Sequence, residues 1–485
     1  LRGALVAFGI AAVAMLLTQP YTLLDYGTFA RNVGEQAQMV RRLVDLPYTR
    51  QYVDTPKYAY LAWQLGVWGL GPAAGLTVWA GFLACLAVTA LARRKTDLVV
   101  LSWVLPYLLI TGWFEVKFLR YMLPVTPFLA IYGARLLVWL GVGLRALWPR
   151  RKWLVFLPAG LVLLLTLHYT LAFVSMYSGP HPAKAVSAWL DANARQGAVV
   201  VQEHWEEGIP HVPRIVFGER VGLYEPDTPA KFDRIAADLA GADYLVLYSN
   251  RLYGTVPRLA DRYPLSARYY RALFDGSLGY DLAYAAQKDR EFLGIAYRDD
   301  PFARVRAETP PPRAWAPVSG SVATLDLGWA DESFTVYDHP VSFVFENKGR
   351  LSEADLLITI GGFEVSGTPG PAGSGIGLLL SPEDALDQQA GGTWRDIAFL
   401  RSLPDSISWI VWLIGAQVMA FAALPLSFAL FRTLPDRGYL FAKPLGILLA
   451  AAVAWLLASL GWMKFSAWSV AVAIGVVALL STAVW

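Results

Sequence analysis

Eight apolar runs, most close to 20 residues long, recur along this 485-residue chain and restrict its fold more than any other feature. They are Arg2–Thr18, Pro72–Ala92, Leu98–Phe114, Tyr121–Leu144, Trp153–Tyr177, Ile407–Phe431, Pro444–Gly461 and Ala467–Trp485. A helix that crosses hydrocarbon needs about 20 mostly apolar residues. A ninth stretch, Tyr58–Leu70, is short and ends in Gly69-Leu70-Gly71-Pro72, so it reads as an interfacial helix leading into the next span. Composition agrees. Charged residues make up only 16% of the chain, against about 25% in a soluble domain. The expected class is a polytopic α-helical membrane protein with about eight spanning helices, seated in the plasma membrane, and the lipid bilayer is its first partner. A net charge of +3 without a long basic run gives no reason to expect nucleic acid. One cysteine, Cys85, excludes intrachain disulfides, and five scattered His without HxxxH or HExxH spacing give no metal site.

Positive charge orients the spans. Arg93-Arg94-Lys95, Arg145 with Arg150-Arg151-Lys152, and Arg432, Arg437 and Lys443 fall in alternate connections, which places them inside. Gln19–Lys57, Phe114–Arg120 and Ser178–Ser406 then face outside. Arg135 is the main charge within a span, and its side chain can snorkel inward. Two outside connections break the charge rule: Gln19–Lys57 carries Arg31, Arg41, Arg42, Arg50 and Lys57, and the turn after the third span carries Lys117 and Arg120. Pairing with Asp25, Glu35, Asp45, Asp54 and Glu115 is one explanation. A pocket for an anionic head group is the other.

Between Ser178 and Asn347 helix and strand signals alternate, which predicts an extracytoplasmic α/β domain inserted between membrane segments. Strands are expected at Ala198–Gln202, Arg214–Phe217, Tyr244–Tyr248, Leu293–Tyr297, Phe334–Tyr337 and Val341–Phe345, with helices at Lys184–Ala194, Phe232–Leu239 and within Leu259–Phe274. Asp243–Tyr248 looks like a buried central strand. No glycine-rich phosphate loop is present, so no cofactor is expected. Glu203-His204-Trp205-Glu206-Glu207 reads as a polar loop capped by a Trp in preference to a ligand site. The division is therefore 1–177 membrane module, 178–347 α/β domain, 348–405 linker and juxtamembrane segment, and 406–485 second membrane module. Within the linker, Ser366–Thr393 is rich in Gly and Pro and Trp394–Asp405 leads back to the bilayer.

Lys117-Phe118-Leu119-Arg120-Tyr121-Met122-Leu123-Pro124-Val125-Thr126-Pro127-Phe128-Leu129-Ala130, with Asp45–Tyr52, Thr55–Tyr60 and Trp68–Pro72, resembles segments of GT-C membrane glycosyltransferases. The nearest subgroup is family 39, which holds protein O-mannosyltransferases and aminoarabinose transferases. Val336–Pro340 and Phe345–Asn347 resemble the end of the outside domain in prokaryotic members. Leu434–Gly446 resembles the opening of a YYY-type prokaryotic membrane domain, so the chain reads as an internal fragment spanning two modules. The resemblance implies an inverting transfer of a sugar from a polyprenyl-phosphate carrier to an acceptor, which is a protein, lipid or glycan, on the outer face. It implies that Lys117, Arg120, Arg50 and Lys57 bind the lipid phosphate and that Tyr121, Tyr58 and Tyr60 line the substrate pocket. The family's general base is an acidic residue, often one of an adjacent pair, in the first outside loop. This loop has no adjacent pair, so the base is expected upstream of Leu1, with Asp25 the one candidate inside the chain. A carrier-binding or scaffold protein without a base is the alternative. A transporter fits less well, because paired inverted repeats with broken helices are missing.

Overall fold

The computed structural model describes residues 2–19, 21–91, 97–317, 320–361 and 405–484. Arg93-Arg94-Lys95, the Ser366–Thr393 linker and residues 394–404 lie outside the described residues. The chain divides into two compact units, residues 31–374 and residues 1–30 with 375–485.

Six helical stretches are long and apolar enough to cross a membrane: Pro72–Leu91, Thr126–Leu147, Lys152–Asn193, Ile410–Leu430, Tyr439–Ser459 and Ala467–Val484. Leu98–Trp113 is apolar but shorter, at 16 residues, and Arg2–Thr18 runs to 17. The expected Tyr121–Leu144 helix begins five residues later. Leu119–Met122 forms a separate 3-10 turn, and Pro127 sits in the first turn of Thr126–Leu147, where its missing N–H costs nothing.

The outward positions of these helices carry large apolar side chains, and glycines lie where two helices come closest. Leu83, Leu109, Val138, Leu163 and Leu164 are exposed, while Gly81 and Gly133 are buried where Pro72–Leu91 crosses Thr126–Leu147. That is the order expected when the surrounding solvent is lipid and helix contact depends on close backbone approach. A Cβ at Gly81 would lie 2.3 Å from the Tyr132 carbonyl oxygen. Arg135 does not stand alone, because its guanidinium donates to Asp97 Oδ1 at 2.6 Å and lies over the Trp139 ring. In the other unit the three helices from Asp405 onward repeat the small-residue packing, with Ala420, Ala423, Ala450, Ala454 and Ala473 buried and a Cβ at Gly446 blocked by the Met419 carbonyl 2.1 Å away.

Within residues 31–374 the α/β region forms a five-stranded mixed sheet. Its strands are β1 (Ala198–Glu203), β2 (Ile215–Val221), β3 (Tyr244–Leu247), β4 (Tyr280–Ala286) and β8 (Ser342–Asn347), in the order β2-β1-β3-β8-β4. β1 runs parallel to β2 and β3, whereas β8 runs antiparallel to β3 and β4. A second, three-stranded sheet holds β5 (Arg290–Phe292), β6 (Ile295–Arg298) and β7 (Ala323–Asp326). β3 is buried along its whole length. Leu245 and Leu247 join one core with Phe232, Leu239, Tyr269 and Leu273, while Val246 packs with Val186 and Leu190 in the core on the opposite face.

Two expectations are corrected. Phe334–Tyr337 is not a strand: Glu332–Thr335 forms a short helical turn, because the Asp331 carboxylate accepts the Ser333 N–H at 2.9 Å and caps it. Leu293–Tyr297 is not one strand start to end, because Leu293 and Gly294, with φ of 49° and 79°, form the turn of the β5–β6 hairpin.

Replacing Gly81 with Leu should lower the thermal midpoint in detergent, by an overpacking cost of about 1–3 kcal/mol. Gly143→Leu, with open space at its Cβ, should leave the midpoint unchanged. Equal effects at the two positions would refute close packing as the basis of the helix contact.

Candidate functional site

The α/β domain and the membrane-boundary segment Pro47–Gln64 meet through buried polar contacts. Arg258 and Arg304 both donate to the backbone carbonyls of Gln51 and Val53, at 2.7–3.2 Å. Gln64 and Trp68 donate to the Trp329 carbonyl, and the Asp331 and Glu332 N–H groups donate to the side-chain oxygens of Gln64 and Gln51. Arg50 donates to Asp45 and to the Tyr224 carbonyl, and Arg262 reaches the same Asp45 carboxylate at 2.5 Å. Burial pushes the Asp45 carboxyl up, but these two guanidiniums outweigh it and hold it at about 2.

The residues expected to bind phosphate therefore separate. Arg50 is only 5% exposed and committed to this junction, stacked over the Tyr224 and Tyr263 rings. Tyr60 is also buried, and its hydroxyl donates to Asp331. Both point away from any open surface. Lys117 is enclosed, with 0% exposure, and its Nζ donates to Thr55 Oγ1 and the Glu115 carbonyl. Burial lowers its ammonium to about 8, with Glu115 opposing. Arg120 is exposed, lies over the Phe118 and Tyr121 rings, and has no carboxylate partner among the described residues. Tyr121 is half-buried, and its carbonyl accepts the Tyr107 hydroxyl at 2.7 Å. Asp25 is exposed at the head of the Tyr26–Val40 helix, where its Oδ1 accepts the Thr28 N–H, and it belongs to the other compact unit.

Lys57 and Tyr58 border a cleft of about 920 Å³ between the end of Tyr26–Val40 and the end of Leu98–Trp113. The Tyr26–Val40 helix is tied down at its last residue, where the Val40 carbonyl accepts the Glu115 and Val116 N–H groups. Above that tie the two helices part. Val33, Ala37 and Val40 recur at helical spacing on one wall, and Leu109, Ile110, Trp113 and Phe114 form the other. The polar groups are few: Gln36, Arg41, Glu115 and the half-exposed Tyr58. Lys57 lies 3.7 Å above the Trp113 ring and pairs with Glu115 at 3.0 Å. Arg41 is exposed with no ion pair among the described residues. Sequence reasoning counted Arg41 among the unexplained cations but did not single it out. Its place beside Trp113 depends on a helix–helix approach between segments about 70 residues apart.

Two carboxylates of the polar loop after β1, Glu203 and Glu206, are buried, while His204 and Glu207 are exposed. Glu206 accepts the Ser249 hydroxyl at 2.7 Å, Arg251 reaches the Trp205 carbonyl and pairs with Glu332 at 3.8 Å, and Glu203 accepts from Tyr270. Burial raises the Glu206 carboxyl to about 7, against the opposing pull of Arg251 and Ser249, and pushes Glu332 well above its usual value. Among the described residues no group of three His, Cys, Asp or Glu side chains is arranged to hold a metal ion. No protein-family model matches the chain, and no curated protein or solved structure is detectably similar to it.

Because its folded pKa is raised, Glu206 binds more protons in the folded state between pH 4.5 and 7, so its contribution to stability falls as pH rises through that window. The stability of wild type relative to Glu206→Gln should decline by up to about 1.4 kcal/mol per pH unit there, read from denaturation midpoints. A difference that stays constant across the window would show that Glu206 does not titrate there.

Proposed function

We propose that this protein is a membrane glycosyltransferase of the GT-C kind that takes a sugar from a polyprenyl-phosphate carrier, with the lipid held in the Tyr58 cleft. The cleft itself carries the reading. It is an apolar slot between one face of the amphipathic Tyr26–Val40 helix and the apolar Leu98–Trp113 helix, and its rim holds two cations, one of them without an ion pair among the described residues. A phosphate on an isoprenoid tail needs that combination: hydrocarbon walls for the tail, and fixed positive charge for the head. The resemblance of Lys117–Ala130 to the family's segment supplies the chemistry. The acceptor oxygen attacks the anomeric carbon, the bond from that carbon to the phosphate oxygen breaks, and the phosphate leaves with the electron pair beside Arg41 and Lys57. A carboxylate takes the acceptor proton. Lys117 and Arg120 add positive potential at this boundary. The reading also retains eight spans, with Arg2–Thr18 and Leu98–Trp113 crossing as shorter helices, and Ser178–Ser406 outside.

One observation favours a second reading. Among the described residues Glu115 is the single carboxylate lining the cleft, and it is already paired with Lys57. A protein that binds the carrier without turning it over would look the same.

Replacing Arg41 and Lys57 together with Gln should weaken binding of geranylgeranyl phosphate at least tenfold, with the full chain in nanodiscs, and leave geranylgeraniol binding unchanged. Equal binding of the phosphate by wild type and variant would remove the head-group assignment. Transfer of labelled sugar from a polyprenyl-phosphate donor to a hydroxyl acceptor separates enzyme from binding protein. Orientation has its own test. The one native thiol, Cys85, is buried, so a Val322→Cys variant, at a position 93% exposed, should react with a membrane-impermeant maleimide on intact cells. Protection of that cysteine until the cells are lysed would invert the topology.

A further inference from the structure

The three-stranded sheet runs down the side of an apolar helix. Leu157–Ser175 lies within the Lys152–Asn193 stretch that is long enough to cross a membrane, and the chain entering β5 meets it at successive levels. Lys288 Nζ donates to the Met176 carbonyl, the Glu291 N–H donates to Ser175 Oγ at 3.3 Å, and the Phe292 ring meets the His168 ring edge-on at 5.5 Å. Tyr297, returning on β6, places its hydroxyl 2.9 Å from His168 Nδ1. From Ser175 to His168 the helix axis descends about 10 Å, so the β5–β6 turn Leu293-Gly294 points along the helix toward the bilayer. Below His168 the same helix face continues through Leu165, Leu164 and Leu161, and all three are exposed. Above it, Ala172 is buried in a cluster with Tyr169 and Tyr297. The sheet covers this face down to His168, and lipid takes over where the sheet stops.

The tip of the hairpin suits the same solvent. Its two turn residues both have positive φ, 49° at Leu293 and 79° at Gly294, and such a turn favours Asn or Asp at its first position, whose short polar side chains tolerate left-handed backbone. Leu293 holds that conformation with its side chain 80% exposed. Val322, just before β7, lies against Gly294, where a Cβ would come within 2.9 Å of it, and is exposed as well. Strain kept in order to present apolar side chains points to a role for them. The level of the tip follows from the helix. Counted from Trp153, next to the basic cluster Arg150-Arg151-Lys152, about 30 Å of hydrocarbon is crossed near Leu171, with the 3-10 residues up to Phe156 rising about 2.0 Å each and the α-helical ones about 1.5 Å. We infer that the Leu293-Gly294 tip, with Val322 beside it, docks on the bilayer at the boundary between head groups and acyl chains, and that the α/β domain rests on the membrane there. Glu291 limits the depth, because its carboxylate accepts the Ser321 hydroxyl at 2.7 Å and keeps the strands above the tip in water. The head-group layer is hydrated, so a thiol reagent still meets position 322.

The test puts a fluorophore on one introduced cysteine of the full chain in nanodiscs. It compares quenching by phospholipids that carry a nitroxide near the top of the acyl chain with quenching by aqueous iodide. Cys85 is buried and takes no label. The ratio of lipid to iodide quenching for Leu293→Cys should exceed that for Glu219→Cys, an exposed position on the edge strand β2, at least fivefold. Val322→Cys should exceed Glu219→Cys at least twofold, and it decides the matter if Leu293→Cys does not fold. Equal ratios at the tip and at position 219 would overturn the contact, because the tip would then stand in water. A tip label shielded from both quenchers would overturn it as well, since a protein surface would then be covering the tip. None of these outcomes depends on what the cleft binds, so the carrier reading stands or falls separately.

Discussion

The residue 31–374 unit depends on two guanidiniums laid on two backbone carbonyls. Arg258 comes from a turn beside the sheet and Arg304 from the loop after β6, and both converge on Gln51 and Val53. An irregular segment at a membrane boundary has carbonyls that neither a helix nor bulk water satisfies, and each left bare costs free energy. Two cations on the same pair of oxygens satisfy them and at the same time tie the soluble domain to the boundary. Burial lowers the pKa of both guanidiniums, Arg304 to about 10 with Arg258 adding to the effect.

The cleft follows from that tie. With Gln51–Val53 held on the domain side, the chain must turn sharply to enter the Ala59–Gln64 helix, and the strained geometry falls on Tyr58. The same turn delivers Lys57 to the Trp113 ring and Glu115. Charge that would otherwise be exposed at the membrane surface is thereby concentrated beside an apolar slot. Cations in outside loops are disfavoured by the charge rule, and in the outside orientation expected from the sequence the structure divides these into those used for assembly, Arg50 above all, and those left at an open face, Arg41 and Arg120.

Some of the architecture was legible in order of residues alone. The apolar runs near Pro72, Trp153, Ile407 and Ala467 matched helices closely, because a run of about 20 apolar residues has no stable alternative to a helix in hydrocarbon. The central strand Tyr244–Leu247 was equally clear from the unbroken apolar run Tyr244-Leu245-Val246-Leu247, and it is buried throughout. Tyr280–Ala286 went unseen. Its sequence YDLAYAA has no β-branched residue, and it becomes a strand only because β8 offers it an edge. Phe334–Tyr337 misled for the opposite reason, since its β-favouring residues are overridden by the Asp331 cap. The Glu203–Glu207 segment reads from sequence as a polar loop capped by Trp205, yet Glu203 and Glu206 are buried, because Tyr270, Ser249 and Arg251 arrive from distant parts of the chain.

Sequence by itself determined the solvent: a chain with this hydropathy and 16% charge must place its long apolar runs in lipid. It also raised an expected anomaly, a set of cations in loops that the charge rule would place outside. Which of those cations are free was decided only by tertiary structure. Arg50 and Arg41 are the same residue type in the same loop, nine positions apart. One is buried against Asp45 and Tyr224, and the other is open at the rim of the cleft. The difference lies in which partners the fold brings within reach, and Arg50 finds one of its partners 174 residues away. Local sequence holds no record of contacts at that separation.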